Sequence, residues 1–365
     1  MVRLRRGTVR AITDRRDDLI ELEVEVGGGV APAVAYASLT GPVAAGDTVV
    51  LNTTAVSLGL GTGGVHFVVA VEGAKDTELA EGSGRAVKAR YTPLQTAVRS
   101  VEETHLERLE RSRGLEGTPV VVAPLHSMIG PVAAGAKAAG AARVAYVMTD
   151  GAALPGAFSR LVGRLRDAAL LEGFVTCGQA FGGDLEAVTT WTGLLAAKEV
   201  LHADVVVVAD GPGNLGTNTT WGVSALAAGH TMNAVASLGG RPVAALRVSF
   251  ADTRDRHRTL SHHSITILSE VCLVRAHVAV PTLVHSEREK LWRALRESGL
   301  DERHELVEVD GTPALESLSD HGIEVESMGR TARDDPAFFL AAGAAGVLAG
   351  RMAGGRSSEP LENGR

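Results

Sequence analysis

Between Asp252 and Ser264, thirteen residues carry two aspartates (Asp252, Asp255), three arginines (Arg254, Arg256, Arg258) and three histidines (His257, His262, His263). Such a set can do two kinds of chemistry. Imidazoles together with a carboxylate suit zinc, iron or manganese, so His257, His262 and His263 with Asp252 are candidate ligands of a divalent metal. Alternatively, Arg254, Arg256 or Arg258 can clamp an anion through paired N–H groups while His257, His262 or His263 moves protons. Consecutive histidines on a helix point about 100° apart, and neither HxH nor HExxH occurs here, so spacing favours the anion clamp over the metal. A plain reading also stands, in which the run is a solvated loop with internal Asp–Arg pairs.

A second polar run precedes this one. Asp210-Gly-Pro-Gly-Asn214-Leu-Gly-Thr217 follows an apolar strand, and Gly211, Gly213 and Gly216 let backbone N–H groups approach an anion closely. The run is neither a Walker A loop nor GxGxxG. Asn214 and Thr217 add side-chain donors, and Asp210 joins Asp252 as a candidate catalytic carboxylate. Further candidates for ligand contact are His126, Asp150 and Asp184, each of which follows a predicted strand. There is no GxSxG elbow, and neither Cys177 nor Cys272 has a basic neighbour in sequence, so nucleophilic catalysis has little support.

The elements that must position these loops read as alternating strands and helices from Thr92 onward. Strands are expected at Pro119–Pro124, Arg143–Met148, Phe174–Cys177, Asp204–Ala209 and Val243–Phe250, then near Cys272–Val280 and at Glu305–Val309. Helices are expected at Gln95–Arg113, Val132–Gly140, Phe158–Leu171, Leu185–Leu201, Val223–Leu238, Glu287–Ser298 and Asp335–Met352. This alternation argues for an α/β fold, a doubly wound and mainly parallel sheet with helices on both faces. The five polar loops would then share its carboxyl edge, where open α/β sheets bind ligands. Ahead of it, residues 1–72 read as five or six short strands, among them Leu19–Val26, which alternates apolar with acidic residues at period two, and predict a small all-β barrel or sandwich. Residues 73–92 read as a linker, 93–353 as the α/β domain and 354–365 as a disordered tail.

Composition narrows the function classes. A net charge of −7 and 4% aromatic residues give no reason to expect a nucleic-acid partner. The basic N-terminal residues do not form a signal peptide. Pro336–Gly350 is too short an apolar stretch to span a bilayer, so no membrane partner is expected. Two isolated cysteines in apolar runs point to a reducing cytoplasm.

Several of these motifs occur together: Asn52-Thr-Thr with Gly59-Leu-Gly-Thr-Gly-Gly64, Gly211-Pro-Gly213, Gly239-Gly-Arg-Pro242, Arg256-His-Arg and Ser261-His-His263. In this combination the chain resembles the uncharacterised bacterial family catalogued as domain of unknown function 3866, from the β domain to about Ala353. The resemblance implies a soluble bacterial protein and carries no activity or catalytic residues with it. Two expectations follow from the residues. The first is an enzyme that binds a small anionic metabolite, phosphorylated or otherwise, at the carboxyl edge. The second is a non-catalytic binding or assembly protein whose Ala/Gly-rich segment Phe338–Ala353 packs a homo-oligomer.

Overall fold

The computed structural model describes residues 1–59, 64–75, 83–217 and 219–355. It divides into two compact units, Met1–Arg99 and Ser100–Arg365. Leu60–Gly63 of the N-terminal glycine loop, Asn218 and residues 356–365 of the expected tail lie outside the described residues.

The first unit is a closed five-stranded barrel. Its strands are β1 (Leu4–Arg16), β2 (Leu19–Val26), β3 (Gly29–Tyr36), β4 (Thr48–Asn52) and β5 (His66–Val71), in the order β1-β2-β3-β5-β4 with β4 closing onto β1. The period-two pattern is the cause. Ile20, Leu22 and Val24 point into a core shared with Val9, Ala33, Val49 and Leu51, while the glutamates between them face out. Within the segment read as a linker, β6 (Ala86–Lys88) pairs with β7 (Thr96–Val98). The long helix expected from Gln95 is therefore absent. Ser100 and Glu103 form a capping box, so helical structure starts only there, in two short pieces, Val101–Thr104 and Leu106–Arg111.

The second unit is built on eight parallel strands. In chain order they begin with β8 (Pro119–Val122), β9 (Val144–Thr149), β10 (Gly173–Cys177), β11 (Leu185–Ala187), β12 (Val205–Asp210) and β13 (Arg241–Ala245). A small antiparallel hairpin follows, β14 (Val248–Ser249) with β15 (Thr259–Leu260). The sheet resumes with β16 (His277–Pro281) and β17 (Glu305–Val309), and a last hairpin joins β18 (Glu326–Ser327) to β19 (Arg330–Thr331). The sheet order is β11-β10-β9-β12-β8-β13-β16-β17.

Parallel strands covered on both sides read as continuous apolar runs, which is why Val205–Val208 shows no alternation. Alternate residues nevertheless feed separate cores. Val121, Tyr146 and Val207 pack with the helices Ile129–Ala138, Arg160–Asp167 and Pro336–Gly355. Val120, Val122, Val206 and Val208 pack with Thr190–Glu199, Ala227–Ser237 and His285–Glu297.

Three expected elements are cut shorter. Leu185–Ala187 is an edge strand rather than the start of a helix, and the helix begins after the Thr189/Thr192 capping box. The expected helix from Val223 starts with a 3-10 turn, Ser224–Leu226, and is α-helical only from Ala227. The expected strand Val243–Phe250 breaks after Ala245, and its remainder becomes β14. That break turns the polar run from Asp252 into the tip of a hairpin.

The C-terminal helix runs 20 residues, Pro336–Gly355, longer than the apolar stretch read from the sequence. By length and composition it could cross a membrane, yet its most apolar window is 72% buried inside the fold. Small residues let it approach its neighbour closely. A Cβ on Gly346 would stand 2.1 Å from the Val132 carbonyl oxygen, and one on Gly135 would stand 2.6 Å from that of Gly343. Most of the helix is buried inside its own unit. Gly346→Val should therefore force the two helices apart and lower stability by about 1–3 kcal/mol. Urea unfolding should show a lower midpoint with an unchanged slope.

Candidate functional site

Because the sheet is parallel, the loops after β8, β9, β12 and β13 leave one edge. Asp210 ends β12 and organises two of them. Its Oδ1 accepts from Thr149 Oγ1 at 2.7 Å and from the Gly151 N–H at 3.0 Å, and its Oδ2 accepts from Asn214 Nδ2 at 3.2 Å. A side chain at Gly151 would collide with that carboxylate. Burial raises the Asp210 pKa, opposed by these hydrogen bonds. Asn214 also reaches Ser224, and Thr217 bonds back to Gly222 and Thr219, so the glycine-rich loop is a folded hairpin rather than an open cradle. Gly211 packs with its Cα against the Ala153 carbonyl, and Gly213 has φ 92, a conformation that favours glycine.

His126 and Asp150 serve the scaffold. His126 Nδ1 lies 3.1 Å from the Asp210 carbonyl, an acceptor only, so Nδ1 carries the proton. Nε2 then accepts from Ser159 Oγ at 2.6 Å, and Ser159 caps the helix Arg160–Asp167. Burial drives the His126 pKa down to about 4. Asp150 Oδ2 accepts from the Gln179 N–H and holds the tight turn at Gly178. Asp184 is at the other edge. The chain after β10 must return before β11 can run parallel, and Asp184 there accepts from the Phe174 N–H and pairs with Arg166. It cannot share a ligand with Asp150 and Asp210.

Beyond β13 lies the densest cluster of charge. Asp252, 1% exposed, accepts from Arg254 through Nε (2.9 Å) and Nη2 (2.7 Å), and from Arg247 and Arg330 at 3.4 Å each. Arg330 also reaches Asp335, which accepts from Ser249 Oγ at 2.6 Å. Three guanidinium groups thus share two carboxylates. The hydrogen bonds from Arg254 hold the Asp252 carboxyl far below the usual range, and they raise the Arg254 pKa in turn. Arg247, 3% exposed, is lowered to about 10, first by burial and then by Arg254. The Met328 sulfur closes the cluster at 3.0 Å from Arg254 Nη2. Two non-glycine residues here are left-handed, Thr259 (φ 65) and Met328 (φ 53), a local strain that surrounding contacts must hold.

Next to the arginines, His257, His262 and His263 converge. Their ring centroids are 5.1, 4.8 and 4.2 Å apart, and one nitrogen from each lies within 4.8 Å of the others. The divergence expected of neighbouring histidines does not occur. His262 and His263 occupy the first turn of a five-residue helix capped by Ser261, and His257 folds back to meet them. Burial and then Arg247 lower the His257 pKa to about 3; burial and then His262 lower that of His263 to about 4. His262 is lowered by burial and Arg256. In all three the shift favours the uncharged ring. Asp252, a suggested fourth ligand, faces the arginines instead.

The two polar loops meet. A Cβ on Gly216 would stand 3.9 Å from His263 Cε1. Beneath them, small cavities lined by Pro124, Thr149, Asp210 and Thr231, and by Ala245, Ser264 and Leu268, each have room for no more than about one water molecule. At the outer rim the Arg254 side chain is 43% exposed. Arg247, Arg330, Asp335 and Ser249 escaped the sequence reading. A charged residue inside the apolar run Ala244–Phe250 was the signal for Arg247; nothing local marks Arg330 or Asp335.

The family model described as "Protein of unknown function (DUF3866)" matches residues 32–346, and the chain belongs to that family. No curated protein and no solved structure matches it.

Two outcomes follow from this geometry. Asp252→Asn leaves Arg247 buried without its counter-charge and should cost about 3–5 kcal/mol in chemical denaturation. Arg254→Gln, at an exposed partner, should cost about 1 kcal/mol or less. For His126, the folded pKa of about 4 lies below the unfolded value of about 6.5. The unfolded chain binds the extra proton between those values, so stability is greatest above pH 6.5 and falls as the pH drops toward 4. Urea titrations at pH 7 and pH 5 should differ, with His126 contributing on the order of 2 kcal/mol. His126→Asn should reduce that difference by a similar amount.

Proposed function

We propose, for this member of the family, that the carboxyl-edge cluster binds a small carboxylated or phosphorylated metabolite and acts on it as an enzyme. The observation that carries this reading is a concentration of guanidinium groups in a constrained place. Arg247, Arg254 and Arg330 gather on the buried carboxylates of Asp252 and Asp335, with exposed Asp334 beside Arg330, and the cluster opens to solvent at Arg254 and borders half-buried Arg256. A polar, partly desolvated surface of one sign concentrates small ions of the opposite sign. In this reading Arg254 and Arg256 neutralise the ligand, and Arg247 and Arg330 keep Arg254 and Asp252 in place. The imidazoles of His257, His262 and His263 stand beside the ligand for acid–base work. Asp210 and Asn214 act at one remove, by fixing the glycine-rich loop that reaches His263.

Thermal unfolding against a panel of inorganic phosphate, pyrophosphate, citrate and sugar phosphates tests the reading. A true ligand at a hundred times its Kd stabilises the fold by about 2.7 kcal/mol, a shift of several degrees in Tm for a unit of this size. Arg256→Ala should remove most of that shift. A panel without a stabilising anion, or a shift that survives Arg256→Ala, would sink the proposal.

A further inference from the structure

We propose that His257, His262 and His263 form a three-histidine centre for a divalent transition metal of the zinc type. The claim goes beyond anion binding: it gives the three imidazoles to a metal in place of the acid–base role and leaves the anion contacts of the arginines as they are. Three imidazole nitrogens within 4.8 Å of one another surround a common point. Metal–nitrogen bonds of about 2.0–2.1 Å in a tetrahedral site put ligand nitrogens roughly 3.3 Å apart, so closure needs movements of about 1 Å or slightly more. Side-chain rotation covers that distance, and the backbone can stay where it is.

A second observation points to a ligand independently. His263 is 7% exposed, and among the described residues its Nε2 has no hydrogen-bond partner; the buried Nε2 of His262 has none among them either. Buried polar nitrogens are nearly always paired. Two unpaired ones on adjacent rings, facing a third histidine, mark a place where a Lewis acid completes the bonding.

The surroundings of His257 agree with this. Its Nε2 receives a long contact from Arg256 Nε at 3.4 Å, so Nε2 is a lone-pair site and Nδ1 carries the hydrogen. Nδ1 lies 2.8 Å from Ser261 Oγ and donates to it. Metal-bound histidines are oriented in this manner by an acceptor on the second ring nitrogen. Ser261 Oγ also accepts from the His263 N–H, so one hydroxyl sets two of the three ligands. A metal at Nε2 would take the place of the Arg256 contact. Three histidines leave a fourth position open, as in catalytic rather than structural zinc sites. With arginines on one side, its occupant is an anion: hydroxide or an acidic substrate.

The test uses the full chain without a histidine tag, stripped with chelator and dialysed. Calorimetric titration with Zn2+ should show one saturable equivalent, and Co2+ should develop the visible bands of a four-coordinate ion. His262→Ala, at a half-buried position, should retain the circular dichroism of the parent and lose at least tenfold in Zn2+ affinity. Ser261→Ala should lose about tenfold while still giving a Co2+ spectrum. Absence of a saturable equivalent with Zn2+, Co2+, Ni2+ and Fe2+ would overturn the centre, and so would affinity unchanged in folded His262→Ala. Anion-induced stabilisation of the metal-free protein reports only on the preceding proposal, so each can fail without the other.

Discussion

A carboxylate in the interior of a protein needs counter-charge, and a guanidinium needs it as much. Asp252 meets both needs at once. It draws together Arg247 at the exit of β13, Arg254 on its own loop and Arg330 from a hairpin near the C-terminus. Without that carboxylate the arginines would repel one another, and the loop that delivers His257 would have no anchor. The rest of the site follows from this tie. The hairpin β14–β15 has its base in the second core, through Val248 and Leu260, and its tip at the arginines. Ser261 can then cap the short helix that presents His262 and His263.

Around this anchor the carboxyl edge divides its labour. Asp210, Asp150 and His126 look like catalytic groups by type and place, yet each is committed to holding loops. Asp210 ties the exits of β9 and β12, Asp150 braces the turn after β10, and His126 joins β8 and β12 to a helix cap. Among the described residues, the buried Nε2 atoms of His262 and His263 have no such partner.

Some of this was legible in the sequence. Periodicity is a local property, so the barrel strands, the apolar strands of the sheet and the position of the polar loops could be read directly. Boundaries were less accessible. The hairpin β6–β7 displaced an expected helix because its pairing partner, and not its propensity, set its conformation. Asp184 was placed on the wrong edge because the residues after Cys177 look like any other strand exit. Only the parallel pairing of β11 with β10 shows that the chain has already turned back.

What the sequence by itself determined is the order of elements, the edge that collects the loops and the concentration of arginine and histidine between Asp252 and Ser264. These follow from apolar spacing and from the rule that parallel strands deliver their exits to one side. What only the tertiary structure decided is who meets whom. Arg330 reaches Asp252 across 78 residues of chain, and Gly346 touches Val132 across the helix crossing. His257 closes on two histidines whose spacing alone predicts divergence. Such contacts depend on how packed elements are oriented in space, and no local pattern of residue types encodes that.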